Sequence, residues 1–328
     1  MKVLFIAADK GGHFTPFIEE QMQALVDNTP LQAEDIICFP VRGKGILGYM
    51  KELPRLRETI RTERPDVVHA HYGLCGLLAN LQRSVPVVTT YHGSDINDKR
   101  VRLFSEMAMV LSEQNIFVSR ATMCKTVVRP SHARLVPCGV DFTAEQQYSQ
   151  TDARKEMNIQ QDQMMVLFAG AFSNAVKDPA LAKESVAYFN QEYAGDAPAM
   201  LKELKGYTRK EVNLLLCAAD CLLLTSHAEG SPQIIKEALA CGCPIVSVDA
   251  GDVRERIADM PDCYVCRSRE PKEIARLLTE IQQLSHEQGT QKRKQRQATM
   301  RQYLVDNLLT NAQVARVLYQ IYERVLNG

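Results

Sequence analysis

The chain contains 328 residues, of which 45% are hydrophobic and 24% are charged, and its 39 basic side chains balance 39 acidic ones. This composition excludes disordered, collagen-like and coiled-coil chains, and the balanced charge provides no general attraction to nucleic acid. A chain of this length is expected to form two domains.

The N-terminal half alternates short apolar segments with stretches of helical periodicity. Strands are predicted at residues 3–8, 36–39, 66–70, 86–92, 115–118 and 134–137, and the first helix at residues 16–26. Alternation of this kind is typical of a parallel sheet built from βαβ units. The sequence therefore predicts a first α/β domain.

The same pattern restarts after a polar stretch at residues 143–163. Strands are predicted at 165–169, 221–226 and 244–248, and a helix begins at Pro179, whereas residues 195–204 fit no element. We place the domains at residues 1–150 and 151–310. An amphipathic helix follows at 311–328, and its periodicity does not reveal where it packs. A basic stretch at 291–297 is predicted to be an exposed helix face.

The chain lacks the sequence features of export and of metal binding. It has no run of 18 apolar residues and no signal-peptide cleavage site, so we expect a cytoplasmic protein. Ten cysteines are then expected to be reduced, small apolar side chains. Cys241 and Cys243, followed by Cys263 and Cys266, only approximate a four-thiolate zinc spacing. We therefore predict no metal site.

Neither of two common nucleotide-binding motifs occurs in its expected place in the sequence. Gly43, Gly45 and Gly48 match G-x-G-x-x-G, but they follow the second predicted strand instead of opening the first helix. A dehydrogenase is therefore disfavoured. No G-x-x-x-x-G-K-[ST] sequence occurs, which excludes a P-loop ATPase.

Two glutamates, Glu229 and Glu237, flank a predicted helix N-terminus that directly follows the strand at 221–226. Ser231 is the predicted N-cap and Pro232 the first helical residue. Unpaired amides at such a point form an anion site of the kind that binds diphosphates, and the two carboxylates could accept hydrogen bonds from ribose and sugar hydroxyls. An ordinary capped helix with exposed glutamates explains these residues equally well.

The segment from Glu229 through Glu237 to Pro244 resembles the signature of the retaining family 4 glycosyltransferases. Four further segments resemble that family and occur in its order: Gly11-Gly12, residues 66–71, residues 90–95 and residues 136–141. The resemblance implies an α/β chain of the GT-B fold, with two Rossmann-like domains whose parallel sheets face a cleft. It also implies that residues 1–150, joined by the C-terminal helix 311–328, form the acceptor domain, and that residues 151–310 bind the nucleotide-sugar donor.

The resemblance assigns roles to individual residues. Glu237 would bind the ribose hydroxyls, Glu229 a hydroxyl of the donor sugar, and Lys177 the leaving diphosphate. His92 would lie beside the reacting sugar carbon, so that His92, Lys177 and Glu229 are the implied catalytic residues. The other implied donor-binding residues lie on loops or near the helix N-terminus: Gly12, Gly170, Ser173, Asn174, Gly230, Ser231, Pro232 and Gln233.

One position departs from the family pattern. An arginine commonly follows the glycine at the strand end, but Gly170 is followed here by Ala171 and Phe172. Either Ser173 and Asn174 replace it as neutral donors, or the leaving group is stabilised largely by Lys177 and the helix amides. Loss of one charge-assisted hydrogen bond costs about 1.5–3 kcal/mol, which would slow an enzyme without abolishing its activity.

Two other features allow alternative interpretations. His69 and His71 point the same way at a strand end and could bind a metal, but without a third ligand they more readily line the cleft floor or cap the strand. Residues 42–64 contain seven basic and three acidic residues together with Ile46, Leu47, Tyr49, Met50 and Leu53. They form either a solvated helix or a peripheral contact with an anionic membrane.

These features predict a metal-independent, retaining glycosyltransferase of the hexosyltransferase type. The expected donor is a UDP-sugar or a GDP-sugar, with no cofactor. The expected acceptor is a saccharide or a lipid-linked acceptor of bacterial cell-surface glycan biosynthesis, a context that rests on the resemblance. Preorganised positive groups would stabilise the departing nucleoside diphosphate while the acceptor attacks from the same face. The alternatives are a non-catalytic carbohydrate- or nucleotide-binding subunit of a glycan assembly complex and a nucleotide-sugar epimerase on the same fold.

Overall fold

The chain divides into two units, of which the computed structural model describes residues 1–130, 132–142, 148–195, 198–287 and 290–328. The first unit comprises Met1–Gly139 together with Leu308–Gly328, and the second comprises Val140–Asn307. Residues 143–147, at the start of the polar stretch between the predicted domains, lie outside the described residues.

The first unit contains a six-stranded parallel sheet with the order β2-β1-β3-β4-β5-β6. Its strands are β1 (Val3–Ala8), β2 (Ile36–Val41), β3 (Val67–His71), β4 (Val87–Tyr91), β5 (Gln114–Phe117) and β6 (Ala133–Leu135). Its helices are α1 (Pro16–Asn28), α2 (Gly45–Lys51), α3 (Leu53–Glu63), α4 (Gly73–Asn80), α5 (Ser94–Asn97), α6 (Lys99–Leu111) and α7 (Arg120–Cys124).

The second unit contains a five-stranded parallel sheet with the order β11-β10-β9-β7-β8. Its strands are β7 (Met165–Phe168), β8 (Met200–Glu203), β9 (Cys221–Leu224), β10 (Ile245–Ser247) and β11 (Cys263–Val265). Its helices are α8 (Gln150–Glu156), α9 (Pro179–Glu192), α10 (Arg209–Ala218), α11 (Gln233–Cys241), α12 (Val253–Ile257), α13 (Pro271–Glu287) and α14 (Thr290–Asp306). The prediction of two parallel α/β sheets is confirmed.

Both faces of the first sheet are buried. Along β1, Val3 and Phe5 contribute to one apolar cluster, and Leu4 and Ile6 contribute to another. A strand covered on both faces needs apolar residues at every position, which explains why β1 reads as one continuous apolar run.

The C-terminal helix α15 (Asn311–Asn327) packs in the first unit, against α1 and β3. Its apolar stripe, including Val314 and Leu318, joins the cluster that contains Ile18 and Leu25 of α1. Burial of such side chains stabilises the helix by about 1.5–3 kcal/mol each, and it holds the chain end on the first unit.

Several predicted boundaries differ from the structure for physical reasons. Strand β2 continues through Pro40 because it is the edge strand, where a missing N–H is tolerated. Strand β8 falls in the segment that fits no predicted element, since it is a short, half-buried edge strand with little alternation.

The prediction of an exposed basic face at 291–297 is wrong for two arginines of α14. Arg296 is 7% exposed and donates from Nε to the carbonyl oxygen of Gly242 at 2.9 Å. Arg293 donates to the carbonyl oxygen of Cys217 at 2.6 Å. Because the last carbonyls of a helix lack partners within that helix, both arginines satisfy the ends of α11 and α10. Within the described parts of the chain, no helix combines the length and the hydrophobicity needed to cross a bilayer.

Candidate active site

Lys177 lies in the second unit, on a tight turn between β7 and α9. Residues Ala175–Lys177 form a single 3-10 turn, and the Asn174 side chain accepts a hydrogen bond from the Val176 N–H at 3.1 Å. A Cβ atom at Gly170 would lie 2.8 Å from Cγ of Lys177. Glycine is therefore required at this position for the lysine stem to pass over the end of the strand.

Three residues join this turn to the loop after β9: Thr225, His227 and Arg269. The Thr225 hydroxyl lies 2.9 Å from the carbonyl oxygens of both Lys177 and Asp178, and the His227 N–H donates to the Val176 carbonyl at 2.9 Å. Arg269 donates to the Thr225 carbonyl and to the Asp178 carboxylate, each at 2.6 Å. The turn that carries Lys177 is thus held against the end of β9.

Glu229 lies on the loop joined in this way and forms an ion pair with Lys177. The lysine Nζ is 2.6 Å from Oε1 of Glu229, and the two side chains are 23% and 13% exposed, respectively. Gly251 packs closely against this loop. Its φ is +64°, and a Cβ atom at this position would lie 2.6 Å from the Gly230 carbonyl oxygen. A cation and a carboxylate, both mostly shielded from water, are therefore fixed beside each other.

The N-terminus of α11 differs from the prediction by one residue. Pro232 occupies the N-cap position and the helix begins at Gln233, with no side chain capping it. The Ser231 hydroxyl instead donates to Oδ2 of Asp252 at 2.8 Å. The prediction that Ser231 is the N-cap is therefore wrong, because the hydroxyl is directed at a carboxylate. The first N–H groups of α11 therefore donate no hydrogen bond to that side chain.

Glu237 lies on α11 and is paired with a residue that the sequence did not single out. Its Oε1 is 2.8 Å from a guanidinium nitrogen of Arg209, the first residue of α10, and the Glu237 side chain is 10% exposed. The two residues are far apart in sequence, so no local motif connects them. A ligand that binds Glu237 through hydroxyl groups would share this carboxylate with Arg209.

The two polar residues considered as replacements for the missing arginine are exposed. Asn174 uses its side-chain oxygen to form the turn before Lys177. Ser173 lies in the preceding turn. Lys177, Glu229, Gly170, Gly230 and the start of α11 thus lie close together in the second unit. Ser173 and Asn174 flank them.

His92 and Gly12, the remaining predicted site residues, belong to the first unit. Gly12 has a φ of +96°, which favours glycine, and its N–H donates to Oδ1 of Asp9 at 2.6 Å. His92 directly follows β4, and the carboxylate of Asp95 accepts hydrogen bonds from the N–H groups of His92, Gly93 and Gly73 at 2.9–3.0 Å. Asp95 is buried, and this desolvation raises its pKa to about 6 despite the three donors.

Three histidines form a stacked array behind this loop. His69 and His71 on β3 are both 0% exposed, with their ring centroids 4.5 Å apart. Nδ1 of His71 is 3.0 Å from Nε2 of His92. Burial lowers the pKa of His71 to about 3 and holds the pKa of His69 well below its ordinary value. No cluster of three metal-ligating side chains occurs among the described residues, and the two β3 histidines serve as neutral core side chains.

A cavity of about 410 Å³ lies in the first unit at the carboxyl ends of β1, β3 and β4. Its lining is mainly apolar and aromatic and includes the positively charged side chain of Lys10. Other lining residues are Ala8, Thr15, Tyr49, Tyr72 and Asp95. Ligands of parallel α/β folds bind at this edge of the sheet.

The structure accounts for two patterns that the sequence left open. Gly43 and Gly48 lie against each other, so a side chain on either would strike the backbone of the other. This motif is therefore a packing feature.

The apolar residues of the basic segment 42–64 differ in exposure. Tyr49, Met50 and Leu53 pack on the core of the first unit, whereas Leu47 is 79% exposed and Ile46 is 36% exposed.

The Arg269 contacts give a testable consequence. Arg269→Ala removes the guanidinium that joins Asp178 to the Thr225 carbonyl, one of the links between the Lys177 turn and the end of β9. We therefore expect donor affinity to fall about tenfold and the melting temperature to drop by several degrees. Isothermal titration with a nucleoside diphosphate and a thermal melt measure the two effects. Arg276→Ala is the matched control, since Arg276 forms an exposed ion pair with Glu280. Equal affinity in the Arg269 and Arg276 variants would contradict this positioning role.

Two family models match the chain in succession. Residues 11–144 match Glycosyltransferase Family 4, and residues 160–283 match Glycosyl transferases group 1. The chain is also 25% identical over 323 residues to D-inositol 3-phosphate glycosyltransferase of Geodermatophilus obscurus, a match that covers 80% of this chain and 71% of that relative. It is 23% identical to TuaC of Bacillus subtilis, which its name assigns to teichuronic acid biosynthesis, covering 68% of this chain and 62% of TuaC.

Solved structures share the fold. Sucrose-phosphate synthase from Thermosynechococcus elongatus superposes with a TM-score of 0.77 at 15% identity, covering 99% of each chain. Anabaena Alr3699/HepE in complex with UDP superposes with a TM-score of 0.70 at 14% identity, covering 99% of this chain and 100% of that one. These likenesses identify the fold as GT-B.

Proposed function

The chain belongs to glycosyltransferase family 4 and is a retaining glycosyltransferase, and from this premise we propose that it transfers a hexose from a UDP-sugar or a GDP-sugar to a saccharide or lipid-linked acceptor. In this proposal the second unit binds the donor and the first unit binds the acceptor. The acceptor belongs to a bacterial cell-surface glycan. The name of TuaC supports that context, and the UDP in the HepE structure makes a uridine donor the first to test.

The observation that carries the proposal is the Lys177–Glu229 pair beside the N-terminus of α11. A nucleotide-sugar needs positive charge where the diphosphate departs and an acceptor for a sugar hydroxyl a few ångströms away. Lys177 would supply the charge, with the amides from Gly230 to Gln233 beside it, and Glu229 would orient both the lysine and the sugar. Because Gly170 has no Cβ atom, the aliphatic part of the Lys177 side chain can pass over it.

The remaining predicted residues take supporting roles. Glu237 would accept hydrogen bonds from the ribose hydroxyls, as the Arg209 guanidinium gives up part of its contact. Ser173 and Asn174 would border the diphosphate as neutral donors. Gly12 would let backbone approach the phosphate or the acceptor, and His92 would lie beside the reacting sugar carbon. The acceptor hydroxyl attacks the face from which the diphosphate leaves, and a phosphate oxygen takes its proton, so the anomeric configuration is retained.

A thermal-shift titration tests the donor site. We expect one of UDP, GDP and ADP to raise the melting temperature, with the same shift in EDTA, because a ligand that binds only the folded state stabilises it. Glu237→Ala should weaken binding of the free diphosphate about tenfold, whereas Glu229→Ala should bind it normally and turn over the intact sugar donor more slowly. Two variants that both bind and turn over like the parent would refute this placement of the site.

The products separate the proposal from its alternatives. A transferase yields nucleoside diphosphate and a glycosylated acceptor, whereas an epimerase interconverts sugars without a separate acceptor. Chromatography of reactions with labelled donor distinguishes these outcomes, and a binding subunit would release no label. Inositol phosphate belongs among the acceptors tested, because the name of the Geodermatophilus relative specifies it and Lys10 lines the cavity of the first unit.

We further propose that the enzyme works in the cytoplasm, in peripheral contact with the inner face of the membrane. Ile46 and Leu47 would enter the bilayer surface, and Arg42, Lys44 and Lys51 would attract anionic lipid. Sedimentation with anionic and with neutral vesicles tests this proposal. Equal recovery in the supernatant with both would refute it.

A further inference from the structure

His71 connects the core of the first unit to His92. It lies at the last position of β3, is fully buried, and has His69 stacked 4.5 Å away on one side and His92 5.2 Å away on the other. Its Nδ1 is 3.0 Å from Nε2 of His92. Its Nε2 is buried and has no hydrogen-bond partner among the described residues.

These contacts decide where the protons of the two rings lie. A neutral imidazole carries one N–H, and the nitrogen that carries it is set by the hydrogen bonds of the ring. If the proton of His71 were on Nε2, a donor would be buried without an acceptor, which proteins largely avoid. The proton therefore belongs on Nδ1 of His71, where it is donated to Nε2 of His92. Nε2 of His92 is then an acceptor, and a neutral His92 carries its own proton on Nδ1.

We propose that His71 is a positioning residue that fixes His92 in the Nδ1–H tautomer, so that His92 offers a neutral hydrogen-bond donor to the substrate at its Nδ1 edge. In the structure that edge faces the sulfur of Cys138 at 3.8 Å, a weak acceptor that a sugar hydroxyl or a phosphate oxygen can replace. In this arrangement His92 does not serve as a base at Nε2, since that lone pair accepts the hydrogen bond from His71. The inference rests on the proposed role of His92 beside the reacting sugar.

The surroundings of His71 keep its ring from turning. His69 is anchored at both nitrogens, with Nδ1 2.6 Å from the Tyr322 hydroxyl and Nε2 2.8 Å from the Thr90 hydroxyl. Phe5 stacks on His71 with a centroid distance of 5.9 Å. Tyr322 belongs to α15, so the C-terminal helix supports the array through His69. Burial also keeps His71 neutral at physiological pH.

The tautomer can be measured without any assay of activity. The chain has seven histidines, and long-range ¹H–¹⁵N spectra at about pH 8, well above the ordinary imidazole pKa, show which ring nitrogen of each bears the proton. The His92 signals are assigned by their loss in His92→Gln. We expect a protonated Nδ1 and a bare Nε2 on His92. A proton on Nε2 of His92 would overturn the proposal, whether or not the enzyme transfers sugar.

A matched pair of variants tests the consequence for turnover. Asparagine places an amide donor close to the position of Nδ1, and leucine has a similar size but no donor. We expect His71→Asn to stay within about threefold of the parent kcat and His71→Leu to lose about tenfold, with the donor KM of both changed less than about threefold. Thermal melts confirm that each variant is folded. Equal kcat for the two folded variants, high or low, would contradict the proposal.

The two levels of failure remain distinguishable. Absence of nucleotide binding and of transfer in the parent would refute the proposed function while leaving the tautomer measurement intact. Normal transfer with the opposite tautomer, or without a difference between the asparagine and leucine variants, would refute only the role of His71.

Discussion

Replacing Lys177 with alanine is expected to lower kcat/KM for the sugar donor roughly 10²- to 10³-fold, the effect of removing one preorganised donor from a site where charge develops. No arginine follows Gly170 in this chain, so Lys177 would supply most of the side-chain charge on the departing diphosphate. Steady-state transfer with a saturating acceptor measures the loss. The free diphosphate should still bind, because the α11 amides and Glu237 remain.

Removing Lys177 also leaves Glu229 without its ion-pair partner, and this second effect needs its own control. The double variant Lys177→Met with Glu229→Gln replaces the pair by neutral groups of similar size. It should recover stability without recovering turnover. Lys183→Ala serves as the matched lysine control, since its Nζ lies over the Phe172 ring, 4.4 Å from the centroid. Near-parental turnover in the Lys177 variants would show that the leaving group is stabilised elsewhere.

The central strands of the two sheets could be predicted because they are buried parallel strands with mostly apolar residues on both faces. Strand β1 carries such a continuous apolar run and is the clearest case. The half-buried edge strand β11 could not be predicted. Strand β8 could not be predicted, since it lies at the edge of its sheet and is half-buried along its length. The continuation of β2 through Pro40 depends on its edge position, which only the assembled sheet reveals.

The candidate site likewise has one part that the sequence could predict and another part that it could not. The spacing of Glu229 and Glu237 on one loop and one helix is a local pattern, and the proposed site is based on it. The partners of these glutamates are not local. Arg209 contacts Glu237 from the start of another helix, and Asp252 takes the Ser231 hydroxyl that was predicted to cap α11. Hydrogen-bond competition between distant residues decided the Ser231 contact, and no residue pattern encodes it.

The histidine pair on β3 shows how burial changes an interpretation. From the sequence, the two alternate histidines at a strand end could bind a metal, and they more readily line the cleft floor or cap the strand. In the folded unit, α15 covers β3, and His69 and His71 lie in the core with hydrogen bonds to Tyr322 and His92. The covering helix begins about 240 residues later in the chain, so its effect on β3 cannot be read from the strand itself.

Lowering the pH from about 7 to about 4 is expected to destabilise the first unit markedly. His69 and His71 are buried as neutral rings, and burial lowers the pKa of His71 to about 3. In the unfolded chain both rings bind protons below about pH 6.5. The unfolded state then holds more protons than the folded state. Each buried ring therefore lowers the free energy of unfolding by up to about 1.4 kcal/mol for every unit by which the pH falls.

Asp95 has the opposite effect on the pH dependence of the free energy of unfolding. Its folded pKa of about 6 exceeds the ordinary value of about 3.9, so the folded state takes up that proton first and gains stability as the pH falls between these values. One of the two imidazole contributions is thereby offset over that interval. The net expectation is a loss of about 1.4 kcal/mol per pH unit between about pH 6 and pH 4, increasing further below pH 4.

Urea unfolding at a series of pH values, followed by far-UV circular dichroism because the chain contains no tryptophan, measures this slope. His71→Leu removes one of the buried imidazoles, so its unfolding free energy should fall less steeply with decreasing pH, by about one proton. The exposed His132 provides the control, and His132→Gln should follow the parent curve. A parent curve that is flat from pH 6 to pH 4, or a His71→Leu curve parallel to it, would mean that the histidine array is hydrated in solution. The neutral-ring argument for His92 would then lose its physical basis.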